Sequence, residues 1–238
     1  MAIKIEFVDT SNSVPEEYWP KPAKFVLPDW YRSTPSYTGP KKDILRGGGR
    51  ATNATIKRCV PVFDALTSGY IIFSSADVDV AIIDGQVVYT WPSDEPMINS
   101  HPVEQFRKHP TIGGEDAISA PKWFNPWSIR TPKGYSTLFV TPFHRESLFY
   151  SLEGVVDTDR YTNPVQFPFK MNDPTWTGII PAGTPIVQAI PFKRENYSHT
   201  VKIKSELKDD YPHKDYKKLT AKFFNSYRDG FWTKKEYN

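Results

Sequence analysis

The stretch Gly154-Val155-Val156-Asp157-Thr158-Asp159-Arg160-Tyr161, with Pro181-Ala182-Gly183-Thr184-Pro185-Ile186-Val187-Gln188-Ala189-Ile190 after it, decides the fold. Taken bare, the first segment is a short apolar strand that leaves the core into a turn carrying two carboxylates. The second is a proline–glycine turn feeding another strand. Between them, Val165-Gln166-Phe167-Pro168-Phe169-Lys170-Met171 places apolar residues at every second position, and Ser136 to Thr141 is a further strand candidate. Pro168 cannot donate to a ladder, so it predicts an edge strand or a bulge. Ile186, Gln188, Ile190 and Phe192 share one strand face, where the Gln188 amide calls for a partner.

The period-two signal recurs outward from this pair. Ile3, Ile5 and Phe7 alternate with Lys4 and Glu6, which predicts a first strand. TIKRCVPVF, GYIIF, DVDVAII and QVVYTW read as a meander over 55–91, with Asp84-Gly85 as a type I′ hairpin turn, because both central positions need positive φ. Cys59 then lies in a strand as a small buried hydrophobe. Residues 11–50 hold six prolines and end at Gly47-Gly48-Gly49, which predicts an extended arm. No Lys-Ser/Thr follows those glycines, so they are not a phosphate loop. Seven prolines return between Trp91 and Gly134, interrupted by a short helix expected over Ser100–Arg107, with Trp123, Phe124 and Trp127 on the loop beyond it. His101 and His109, at either end of that helix, read as surface groups. Tyr216, Leu219, Phe223 and Tyr227 recur at spacings of 3, 4 and 4 between lysines, the pattern of an amphipathic helix. The chain thus divides into an N-terminal strand and proline-rich arm (1–50), a β-rich core (51–204) and a C-terminal helix with a basic tail (205–238).

Composition agrees with that division. A length of 238 residues supports one sizeable core, and 15% aromatic content with 22 prolines leaves little room for long helices. The expected class is mostly β. A net charge of +3 is too small for binding nucleic acid by phosphate neutralisation alone, although Lys193–Asn238 carries 12 Lys/Arg against 7 Asp/Glu. The single Cys59 excludes an intramolecular disulfide and a zinc–cysteine cluster, and fits a reducing cytoplasm. The first ten residues alternate apolar and polar, and no run of about 18 apolar residues occurs, so a soluble, unprocessed protein without a membrane partner is expected.

GVVDTDRY followed by PAGTPIVQAI resembles the dUTPase and dCTP deaminase superfamily over roughly residues 140–192. That resemblance implies a β-clip core, a twisted β-sandwich that trimerises in the family, and binding of a nucleotide or other small anionic ligand. It assigns Asp157 as the water-activating catalytic carboxylate, and Asp159 as the second acid of the turn. Arg145 would hold phosphate, Tyr161 would pack on the sugar, and Gln188 matches the superfamily glutamine. Mg²⁺ is implied if the protein hydrolyses nucleoside triphosphates, and no resident metal site is assigned. Arg160 stands where the family has its tyrosine, and the family's Arg-Ser-Gly is replaced by His144-Arg145-Glu146-Ser147. Over most of its length, through LPDWYRSTP, TIKRCVPVFDALTSGYII, FNPWSIRTPKGYSTLF and SLEGVVDTDRYTNPVQFPF, the chain resembles an uncharacterised family of bacterial and marine tailed-phage proteins. This implies a phage origin, with the bacterial host cytoplasm or the virion as its location, and no mechanism.

Two other readings stand beside the nucleotide site. One is a virion or assembly protein without catalytic activity, its arm and aromatic loops gripping virion proteins or further copies of itself. The other is an Fe(II)-dependent oxygenase, since His144-x-Glu146 and His199 have the ligand types of a two-His-one-carboxylate site, with Lys202 or Lys204 for an oxo-acid cosubstrate.

Overall fold

A computed structural model of the chain describes residues 3–40, 43–46, 49–113, 119–203 and 226–238. In chain order its strands are β1 (Glu6–Asp9), β2 (Lys21–Pro22), β3 (Asp43–Arg46), β4 (Gly49–Thr52), β5 (Tyr70–Phe73), β6 (Val78–Ile83), β7 (Gln86–Thr90) and β8 (Ile98–Pro102). Then come β9 (Ser119–Trp123), β10 (Trp127–Arg130), β11 (Tyr135–Val140), β12 (Phe149–Ser151), β13 (Gly154–Val156), β14 (Phe167–Met171), β15 (Gly178–Ile180) and β16 (Pro185–Lys193). The described helices are α1 (Asp29–Ser33), α2 (Val60–Thr67) and α3 (Ser226–Gly230), together with short 3-10 turns. The protein is mostly β, and every strand pair is antiparallel.

Two compact units share the chain: Met1–Val26 with Gly69–Arg194, and Leu27–Ser68 with Glu195–Asn238. The first holds a five-stranded sheet ordered β13-β11-β16-β5-β2, a four-stranded sheet β12-β14-β9-β8, a three-stranded sheet β15-β6-β7 and the pair β1-β10. Phe139, Val187 and Ala189 of the five-stranded sheet and Trp123, Phe149, Phe167 and Phe169 of the four-stranded sheet enter one core. Trp123 stacks on Phe169 at 5.0 Å between ring centroids, with Phe149 5.1 Å from Trp123. Burying each such ring stabilises by roughly 1.5–3 kcal/mol. β5 is buried on both faces, which is why Tyr70-Ile71-Ile72-Phe73 reads as an unbroken apolar run. Ile72 faces the aromatic core, while Ile71 and Phe73 are covered by Ala23, Tyr18 and Val26. Gly69, just before β5, has φ 66°, and a Cβ there would lie 2.0 Å from the Ala189 carbonyl oxygen. That close approach requires glycine.

In the second unit β3 and β4 form a hairpin, and the ring of Tyr31 in α1 stacks on Phe63 of α2 at 6.4 Å and lies under Lys57 Nζ at 4.6 Å. Asp64 of α2 accepts from Trp232 Nε1 at 3.0 Å and from Lys235 Nζ at 2.6 Å.

Several expectations are met. Asp84 (φ 51°) and Gly85 (φ 75°) form the turn between β6 and β7, and β1, β11, β14 and β16 fall on their predicted segments. Others are corrected. TIKRCVPVF is a 3-10 turn and then α2, because Thr55 accepts from the Lys57 N–H and Pro61 sits in the first helical turn, where its missing N–H costs nothing. Cys59 is therefore a half-buried helix-capping position, not a strand residue. The meander over 55–91 reduces to β6–β7, since β5 pairs with β16 and β2. The helix expected over 100–107 is the end of β8 and one 3-10 turn at Val103–Gln105. Trp123 and Trp127 belong to β9 and β10, and both are buried. Pro168 lies in an interior strand; its carbonyl accepts from Leu152 N–H just past the end of β12, so its missing donor falls where that ladder has stopped. The 11–50 segment includes α1, β2 and the hairpin β3–β4, with Ala23 and Tyr31 buried. Tyr216, Leu219 and Phe223 of the expected C-terminal helix lie outside the described residues, as do Gly47 and Gly48. Among the described residues no helix is long and apolar enough to cross a membrane.

Candidate functional site

The acidic bend begins where β13 ends. The Arg160 and Tyr161 N–H groups both donate to the Asp157 carbonyl, at 2.9 and 2.8 Å, which curls 157–161 into a single tight turn. Thr158 points inward and shares hydrogen bonds of 2.9 Å with the hydroxyls of Thr131 and Thr137. Asp159 is nearly enclosed, its side chain 2% exposed. It accepts from Gly134 N–H at 2.8 Å and from Arg194 Nη1 and Nη2 at 2.8 and 2.5 Å, a forked pair. The Arg194 hydrogen bonds, followed by that of Gly134, hold the Asp159 carboxyl down at about 2. Asp157 is 52% exposed; Ser136 Oγ donates to it at 2.7 Å, and Arg194 Nη1 lies 3.1 Å away. Arg194 Nη1 also donates to the Tyr135 carbonyl at 2.8 Å.

Arg194 is the functional neighbour that sequence reasoning missed. Its signal was the period-two run of β16, which continues one step past Phe192 to reach it. With both aspartates and the Tyr135 carbonyl on its guanidinium, this cation is spent on clasping β13, β11 and β16 together. Tyr161 is exposed at the close of the bend.

Gln188 sits elsewhere in the same sheet, opposite Val140 of β11 and Ile71 of β5, and is 1% exposed. Its Oε1 accepts from the Phe143 N–H at 3.0 Å, which supplies a partner for the amide and pins the turn after β11. His144 follows with φ 52°, and the chain then delivers Arg145 to the far edge of the sheet.

There Arg145 Nη2 donates to the Val26 carbonyl. Its Nε is buried, and among the described residues it has no hydrogen-bond partner and no carboxylate forms an ion pair with the side chain. Burial lowers its pKa, the direction expected of a cation taken out of water without compensation. Val26 closes the 3-10 turn Ala23–Phe25, where Lys24 Nζ lies 4.9 Å over the exposed Phe25 ring.

The structure thus brings Asp157, Asp159 and Tyr161 together, and sets Gln188 and Arg145 apart from them. Asp157 follows β13 at one edge of the five-stranded sheet, and Val26 follows β2 at the other. Four interstrand steps separate those edges, roughly 19 Å. The proline–glycine turn 181–184 precedes β16, while the acidic bend meets the other end of that strand at Arg194. A hollow of about 180 Å³ lined by Asp77, Asp79, Thr90, Trp91, Pro92 and Ile179 holds two carboxylates and no basic residue, so it does not suit an anion. Among the described residues no three His, Cys, Asp or Glu side chains gather as metal ligands. No protein-family model matches the chain, and no curated protein matches it in sequence.

Proposed function

We propose that this protein binds a small anionic ligand, a nucleotide in the dUTPase-like reading, and that Arg145 supplies the charge that holds it. One observation carries the proposal: a half-buried arginine whose Nε is buried without a hydrogen-bond partner, and with which no acid forms an ion pair, among the described residues. Buried charges in proteins are ordinarily paired, so a cation left without its counter-charge is completed by a ligand that brings one. The exposed Phe25 ring and Lys24, next to the carbonyl that Arg145 caps, offer a stacking surface and a second positive group for a ligand with both a phosphate and a planar base.

The dUTPase-like β-clip reading is supported by β13 and β16 lying in one sheet on either side of β11. Hydrolysis in that reading needs Asp157 and Arg145 to act on the same phosphate. Within one chain Asp157 follows the strand at one edge of the five-stranded sheet and Arg145 bonds the carbonyl of Val26, beyond the strand at the other edge, roughly 19 Å across, so the proposal is one of binding, and no hydrolytic step is assigned.

Thermal denaturation of the full chain with dUTP, dUMP, ATP or inorganic phosphate, with and without Mg²⁺, tests it. A ligand at about 100 times its Kd stabilises by about 2.7 kcal/mol, a rise in Tm of roughly 5–10 °C at this chain length. Arg145→Met abolishes the rise, Arg145→Lys reduces it, and Asp157→Asn leaves it in place. The proposal fails if no anion raises Tm, or if Asp157→Asn removes the rise while Arg145→Met keeps it.

A further inference from the structure

Among the described residues, the outer edge of β7 is the unguarded strand edge of its unit. Natural sheets blunt free edges by keeping them short or by placing charge or proline on them. The other free edges obey this rule. β2, β12, β13 and β15 are two or three residues long; β1 carries Glu6 and Asp9, β10 carries Arg130, and β8 ends in Pro102. β7 is five residues, Gln86-Val87-Val88-Tyr89-Thr90, with no charge, no proline and no bulge in its register with β6.

The hairpin fixes which backbone groups of β7 point outward. A two-residue turn makes its flanking pair, here Ile83 and Gln86, exchange hydrogen bonds, and the pattern then alternates. Gln86, Val88 and Thr90 therefore bond to β6, and the N–H and C=O groups of Val87 and Tyr89 face away from it. The side chains divide the other way. Tyr89 points into the core, 5.7 Å from Phe169, and Val87 lies on the same face nearer the tip, 38% exposed beside Ile82. Val88 lies on the opposite face with Ala81 and Ile83.

We infer that β7 pairs antiparallel with β7 of a second copy of this chain, about a two-fold axis through Val88. That register sets Val87 opposite Tyr89 of the second copy and Tyr89 opposite its Val87, so the outward-facing groups of both strands satisfy one another. Gln86 falls opposite Thr90, and no charges oppose. The same operation on β1 would set Glu6 against Asp9, a like-charge pair. Neutrality makes β7 self-complementary, and the two-fold axis closes the contact so that no third copy can add to it. The result is one six-stranded sheet, β15-β6-β7 twice, in which Val87 of each copy extends the apolar surface over Tyr89 of the other. This contact is independent of the Arg145 site.

Sedimentation velocity of the full chain, up to about 100 µM so that mass action populates even a weak dimer, is the test. The wild type sediments at twice 27.3 kDa. Val88→Lys sets two lysines face to face at the axis and weakens the dimer at least about tenfold. Because the Val88 side chain lies on the face opposite Tyr89, the circular dichroism spectrum stays unchanged. Mixing Val88→Lys with Val88→Glu restores a dimer that neither variant forms alone. Val87→Pro removes an outward N–H without touching the β6 ladder, and also gives monomer. A wild-type monomer at that concentration, an assembly that Val88→Lys leaves intact, or a lysine–glutamate mixture that stays monomeric overturns the inference.

Discussion

Gln188→Met tests whether one buried amide holds the turn that carries Arg145. Methionine matches glutamine in length and lack of branching but offers only a weak acceptor. The Phe143 N–H, now 3.0 Å from Gln188 Oε1, would face a thioether. A buried donor left unsatisfied costs about 1–3 kcal/mol. Phe143 is only half-buried, so solvent reaches part of that group and the lower half of the range applies. Burying a thioether in place of an amide returns up to about 1 kcal/mol. The net loss is about 1 kcal/mol, or roughly 2–4 °C in Tm for a chain of this length. The effect on ligand response is larger, because the released turn no longer presents Arg145 at Val26, and the anion-dependent rise in Tm shrinks with it. Gln188→Glu keeps an acceptor but buries a charge at a position 1% exposed. Burial raises the introduced carboxyl's pKa, so this variant regains stability as pH falls. Thermal denaturation at stepped pH, with and without ligand, reads all of these. If Gln188→Met leaves both Tm and the ligand response unchanged, the amide does not pin the turn.

Asp159 predicts the opposite slope. Its carboxyl is held at about 2 by Arg194 and Gly134, so its contribution is complete above the unfolded value near 4 and disappears as pH falls through about 2. Urea unfolding at stepped pH should show a steeper acid limb for the wild type than for Asp159→Asn between those values; parallel limbs would mean that the clasp adds no pH-dependent stability. Gly69→Ala pushes a Cβ to 2.0 Å from the Ala189 carbonyl oxygen, a backbone atom that cannot swing aside. The expected result is a chain that loses its cooperative thermal transition or falls more than about 10 °C in Tm; a Tm within a degree of wild type would show that β5 and β16 do not approach so closely.

What was legible in the residues was what local chemistry dictates. Asp84-Gly85 forms a turn because both positions take positive φ, and no distant partner has to be known for that. Alternation located β11, β14 and β16 for the same reason. Residues 55–63 misled because Thr55, Ile56 and Val60 favour strands, while the hydroxyl cap of Thr55 and Pro61 in the first helical turn outweighed them. Strand order was illegible: β5 finds its neighbours at Lys21–Pro22 and Pro185–Ala189, and nothing in Tyr70-Ile71-Ile72-Phe73 names either. The site divided similarly. The motif marked Asp157 and Asp159 but carried no trace of Arg194, and it drew Arg145 toward them although the turn at His144 leads that side chain away.

The depth of β5 has a consequence during synthesis. Ile71 and Ile72 end fully enclosed, yet the strand that covers one flank begins only at Pro185, more than a hundred residues later. At ordinary ribosomal speed that is an interval of roughly 6–20 s. For that time an apolar tetrapeptide with the edge that awaits β16 open trails from the ribosome, its other edge covered at most by Lys21–Pro22, and its protection rests on chaperones. Rapid overexpression is therefore expected to drive this chain into inclusion bodies, and slowing translation or supplying a holdase should recover soluble protein.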